Sequence, residues 1–165
     1  MSSSSSGYGY GIWLQLNHHQ ICTNHIAHVT LVCNISTETD IRKLYNAVKH
    51  NLPSTLPVKI HPSYAIFEDV YSENDPYPRS WGYYCEIVNN DVTNIISQIQ
   101  NLMQSLSISG SISKRLHTTM EYKDWKNPYN LREPIETECK IVMADIRKFE
   151  SEQWTILEDK RIQRL

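Results

Sequence analysis

An α+β fold is predicted for this chain, and three observations predict it. Apolar runs with strand alternation recur along the sequence, among them AHVTLVCNI (Ala27 to Ile35). Two segments between such runs instead carry apolar residues at helical spacing. The length of 165 residues, with 40% apolar content, is enough for one packed domain and short for two.

The elements follow in order. Residues 1–7 read as a disordered serine-rich tail and residues 8–165 as a single domain. YGIWLQL (Tyr10 to Leu16) is a first strand, and the polar NHHQICTNH is a turn that returns the chain antiparallel. In the next strand, alternation puts His28, Thr30, Val32 and Asn34 on one face and Val29, Leu31, Cys33 and Ile35 on the other. Ile41, Leu44, Tyr45 and Val48 then mark an amphipathic helix, with Thr37 as N-cap and Asp40 in the first turn. Pro53 and Pro57 end that helical region. VKIHPSYAIFEDVYS reads as a long strand bent around Pro62, and WGYYCEIV as its successor. Val92, Ile95, Ile96, Ile99, Leu102, Met103 and Leu106 form the clearest helical stripe. RLHTTMEY is a further strand, and CKIVMADIRKF with QWTILED makes a closing hairpin around ESEQ.

A formal charge of -2 excludes binding to long nucleic acid by bulk charge, while leaving room for a small anion held by local donors. Cys22, Cys33, Cys85 and Cys139 form no C-x-x-C pair and read as buried free thiols of a reducing compartment. The start of the chain has no signal-peptide pattern and no run reaches membrane-spanning length, so a cytoplasmic monomer without membrane contact is expected.

The chemistry rests on a repeated spacing. His28-Val29-Thr30 and His117-Thr118-Thr119 each place an imidazole and a hydroxyl on one face of a strand. Two imidazoles near their ordinary pKa supply a general base and a general acid at neutral pH without a metal. Hydroxyls two residues away hold the non-bridging oxygens of a phosphodiester between them. About one H-x-[ST] is expected by chance among the seven histidines; there are three, and His61-Pro62-Ser63 lacks a strand presentation because of its proline. Either motif alone is more simply a satisfied structural histidine. The pair, on matched strands in opposite halves, points to function.

Through HVT at His28 to Thr30, HTT at His117 to Thr119, the early strand YGIWLQL and a final hairpin bearing Trp154, the sequence resembles the 2H phosphoesterase superfamily, also called LigT-like or cyclic phosphodiesterase-like. The order of elements matches from about Tyr8 to Asp159, except that the His28 motif follows the first strand without the intervening helix of some members. The resemblance implies a bilobal α+β fold, with two antiparallel sheets lining a central cleft and helices outside. It implies no cofactor and metal-independent cleavage of nucleotide phosphodiesters that involve the ribose 2'-oxygen. The family's substrates are 2',3'-cyclic phosphates, 2'-5'-linked oligoadenylates, and cyclic dinucleotides such as 2',3'-cGAMP. Viral members use the last two activities to blunt immune signalling, and a chain rich in Ile, Asn and Tyr suits an AT-rich viral genome. On this reading His28 and His117 are catalytic, with base and acid unassigned, and Thr30 and Thr119 hold phosphate. The partner is a small nucleotide or short oligonucleotide. The alternative is a non-catalytic nucleotide or RNA-end binding module on the same fold.

Tyr10, Trp81, Tyr84 and Trp125 are candidates to stack a nucleobase, against the simpler role of filling the core. Lys114 and Arg115, just before His117, read equally as phosphate attractors or as a solvated strand entry. His18, His19, His25 and His28 invite a metal site, but no carboxylate or thiol falls at a ligand spacing beside them.

Overall fold

The computed structural model describes residues 7–16, 25–67, 80–88, 92–113, 115–121 and 131–159. Its strands are β1 (Tyr10–Gln15), β2 (His28–Ile35), β3 (Thr55–Phe67), β4 (Ser80–Ile87), β5 (Ser111–Ile112), β6 (His117–Glu121), β7 (Ile135–Asp145) and β8 (Thr155–Leu157). Two helices join them, α1 (Glu38–Asn51) and α2 (Val92–Leu106). The strands run in the order β1-β2-β6-β4-β3-β7-β8, with β5 beside β2, and β1 also pairs with β7. Six antiparallel strands thereby close into a barrel, which removes the exposed edges that β1 would otherwise present. The fold is α+β, with this barrel and two helices.

Lys140 is where β7 changes partners, since Gln15 of β1 and Thr55 of β3 both pair with it. β7 is thus the seam that joins the first strand to the middle of the chain. The expectation of a disordered tail through residue 7 does not hold for Gly7 itself. Gly7 is buried at φ 89, and a Cβ there would stand 2.0 Å from the Arg147 carbonyl oxygen, so only glycine fits this approach. The next residue, Tyr8, donates its N–H to the Ile146 carbonyl.

Helix α1 forms as its spacing dictates. Thr37 caps it by accepting from the Asp40 N–H at 3.1 Å, and Ile41, Leu44 and Val48 are fully buried. Each such side chain contributes about 1.5–3 kcal/mol by burial. Arg42 donates to the Glu158 carbonyl and Lys49 pairs with Asp159, fastening α1 to the segment after β8. Helix α2 buries Ile95, Ile99 and Met103 in the same core. It ends at Ser107, whose φ of 57 lets the Ile108 N–H reach back to the Met103 carbonyl.

That core joins α1 and α2 to Ile12, Leu14, Val29 and Leu31. A second, smaller cluster of Tyr8, Trp13, Cys33, Val142, Ala144, Ile146 and Trp154 contains no residue of either helix and lies against the opposite face. The strict alternation expected along β2 does not hold. Register shifts against β1 between Tyr10 and Trp13 insert extra residues into β2, so Val32 joins Leu31 in the helix-side core and Cys33 turns to the other cluster. Cys33, Cys85 and Cys139 are buried free thiols; Cys22 lies outside the described residues. No helix among the described residues is long and apolar enough to cross a membrane.

Candidate functional site

The two H-x-T motifs meet. β2 and β6 are antiparallel, and Val29 pairs with Thr118. One residue to either side, this register sets His28 across from Thr119 and Thr30 across from His117. The four side chains therefore share one face, opposite to that of Val29, which lies in the helix-side core. Each histidine thus lies across the joint from the threonine of the other motif, an arrangement with approximate two-fold symmetry.

The histidines are held alike. His28 donates Nδ1–H to the Ile26 carbonyl at 2.6 Å, and His117 donates Nδ1–H to the Arg115 carbonyl at 2.9 Å, each two residues upstream. A carbonyl only accepts, so both bonds fix the tautomer and make Nε2 the nitrogen that exchanges a proton in the neutral ring. Each ring also lies flat on an aromatic. His28 stacks on Trp13 at 3.6 Å between centroids and His117 stacks on Phe67 at 4.0 Å. Phe67 belongs to β3 and reaches His117 across β4, where Gly82 pairs with Thr119 and carries no side chain to intervene. A Cβ on Gly82 would lie 2.1 Å from the Thr118 carbonyl oxygen, so glycine also permits the close approach of β4 and β6.

The surroundings differ. His28 is 4% exposed and lies among Trp13, Trp154 and His25, with the Trp154 ring 5.8 Å away. Burial above all, and then the neighbouring His25 and His117 rings, push its pKa down to about 3 against the bond to Ile26. The ring is neutral. His117 is half-buried, and Thr30 likewise, so the site meets solvent on this side.

His25 is a functional candidate that its sequence position alone does not reveal. It is buried, and its Nε2–H donates to the Thr119 carbonyl at 3.0 Å, lacing the entry of β2 to the second motif. Burial lowers its pKa to about 4, so it too is neutral. Carbonyls occupy Nε2 of His25 and Nδ1 of His28, and among the described residues no three His, Cys, Asp or Glu gather as a metal would need. His18 and His19 lie outside the described residues.

Of the aromatic candidates among the described residues, Tyr84 is brought to the site. It pairs with His117 and accepts a hydrogen bond from Arg115 at 3.0 Å. Tyr10 is instead buried at the far end of β1, paired with Ile35, with the Arg147 guanidinium over its ring. Trp81 is one residue out of phase with Gly82, so alternation along β4 puts it on the face of Tyr83, away from Phe67 and Tyr84. Trp125 lies outside the described residues. Trp13, Phe67 and Trp154 line the site in their place. No protein-family model matches the chain, and no curated protein matches it.

Proposed function

We propose that the chain is a metal-independent phosphodiesterase of the 2H type, acting on nucleotide phosphodiesters that involve a ribose 2'-oxygen. The antiparallel register that opposes His28 to Thr119 and His117 to Thr30 carries this reading. A phosphate set over that square meets an imidazole Nε2 on each side, as in-line displacement requires, and two hydroxyl donors for its non-bridging oxygens. The finer bilobal architecture, two sheets around one cleft, belongs to the same reading. Each half of the barrel would contribute one motif strand, with β2 and β6 as the joint between them.

We assign the roles from the difference in burial. His28, desolvated and neutral, accepts the proton of the attacking water or ribose hydroxyl. The imidazolium so formed lies against the Trp13 ring, whose π face favours a cation, and beside the phosphate anion that supplies its counter-charge. His117, half-buried and nearer solvent, gives an Nε2 proton to the leaving oxygen. With water as nucleophile, one P–O bond forms and one breaks. With a vicinal ribose hydroxyl, the first product is a 2',3'-cyclic phosphate.

Incubation in chelator with nucleoside 2',3'-cyclic phosphates, 2'-5' oligoadenylate, and mixed-linkage and 3'-5' cyclic dinucleotides tests the proposal. Cleavage confined to bonds at a 2'-oxygen is expected. Binding of these compounds without turnover would replace it with the nucleotide-binding module, and no binding at all would remove both.

A further inference from the structure

Arg115 differs from the other arginines whose contacts are defined. Arg42 pairs with Glu38 and Arg147 with Asp145, whereas Arg115 has no carboxylate partner among the described residues. It is held by neutral groups instead. Nη1–H donates to the Tyr84 hydroxyl at 3.0 Å, and the guanidinium lies 5.1 Å from the Phe67 centroid and 5.9 Å from that of Tyr84. Those two rings meet edge to face at 4.8 Å, which makes them one platform.

The platform is shared with the site. The Phe67 ring that Arg115 covers is the one stacked on His117, and the Arg115 carbonyl accepts the Nδ1–H of His117. The guanidinium is therefore fixed relative to the imidazole, on the solvent side, with its residue exposed. Of its five donors, one goes to Tyr84. An oriented cation with donors to spare and, among the described residues, no acid beside it is built to receive an anion. On the phosphodiesterase reading Thr30 and Thr119 address the scissile phosphate, and Arg115 lies two residues before His117, on the side away from Thr119.

We propose that Arg115 holds a second phosphate of the substrate. Building on the phosphodiesterase reading, this makes the substrate class a nucleotide with a phosphate on each side of one ribose, as in a 5'-phosphorylated 2'-5' dinucleotide or a cyclic dinucleotide. A nucleoside with a single cyclic phosphate leaves Arg115 unused.

The test is calorimetric binding of adenosine 2',5'-bisphosphate and of adenosine 2'-monophosphate to the wild type, Arg115→Gln and Arg115→Lys, with thermal melts to show that each folds. The wild type is expected to prefer the bisphosphate by about 10-fold to 100-fold, the scale of one charge-assisted contact. Arg115→Gln should erase that preference with the monophosphate affinity nearly unchanged, and Arg115→Lys should keep part of it. Equal loss for both ligands would put Arg115 on the scissile phosphate or in a structural role, and overturn the proposal. So would a preference that survives in Arg115→Gln, or one absent from the wild type. Binding needs no turnover, so a bisphosphate preference in an inactive protein sinks the catalytic reading and leaves this one standing. Turnover of a cyclic mononucleotide with no such preference does the reverse.

Discussion

His28 and His117 share a frame and differ in their surroundings. Both donate Nδ1–H two residues upstream, both stack on an aromatic ring, and both oppose a threonine across the β2–β6 joint. The first is enclosed by Trp13, Trp154 and neutral His25, while the second stands half-buried beside the Arg115 guanidinium and the Tyr84 hydroxyl. The common frame engages Nδ1 of both rings and leaves Nε2 as the nitrogen able to exchange a proton. The unlike surroundings leave the buried His28 ring neutral, and on the proposed reading this sets a base beside an acid.

Removing either ring should break the pair most severely. His28→Ala and His117→Ala are each expected to lower kcat by about 10² to 10⁴, with the double variant little worse than the singles because the roles act as a unit. Steady-state kinetics of the three variants check this, and near wild-type turnover in either single variant would dismiss the pairing. The hydroxyls come next. Thr30→Val and Thr119→Val keep strand shape and should each lower kcat/KM by about 10-fold to 10³-fold through the loss of one oxyanion donor. Unchanged kinetics in both would leave the threonines with a structural role alone.

The joint between the halves is open to a smaller test of stability. Gly82→Ala forces a Cβ to within 2.1 Å of the Thr118 carbonyl oxygen, and backbone must move to accept it. A loss of about 1–3 kcal/mol in denaturant unfolding is expected, with weaker activity because Phe67 and His117 shift together. A variant as stable and active as the wild type would mean that β4 and β6 are not so closely apposed.

Much of this frame was legible before the strands were placed. The α1 spacing and its Thr37 cap carry their own geometry, since helix contacts are local, and they hold as read. H-x-T is also local, because a spacing of two puts both side chains on one strand face. What the motif meets is not local. Trp13, Phe67 and Tyr84 reach the histidines through pairings between distant segments, and nothing in the residues near His117 names Phe67 as its neighbour. His25 and Trp154 enter in the same way, through contacts spanning much of the chain. Closure by β1 and β7 depends on register at Lys140, which composition does not encode. The β2 alternation failed for a nearby reason, since one extra residue reverses the faces at Val32 and Cys33 and a second restores them by Ile35.

The contrast in burial also sets the pH behaviour. His28 and His25 have pKa values lowered from 6.5 to about 3 and about 4, so they stay neutral in the folded chain where the unfolded chain takes up protons. Stability is then full above about pH 6.5 and falls as the pH drops toward 4 and 3, at about 1.4 kcal/mol per unit for each group. His28→Gln should flatten this slope in urea unfolding curves taken from pH 7 to 4.5, and an unchanged slope would place His28 in water. For catalysis, the acid limb of kcat/KM should lie below pH 5, lower than two ordinary imidazoles give. Trp13→Leu, by admitting water to His28, should raise that limb, while Phe67→Leu should leave it in place.

The most direct measurement of the central claim is a proton NMR titration of the imidazole C2–H signals, assigned with His28→Gln and His117→Gln, against adenosine 2'-monophosphate. In the proposed site the two rings face one phosphate. Both signals should therefore move along one binding curve, and the His28 pKa should rise when the anion takes its place beside the ring. If only one ring responds, or neither, the two histidines do not address a common phosphate and the paired acid–base site is contradicted.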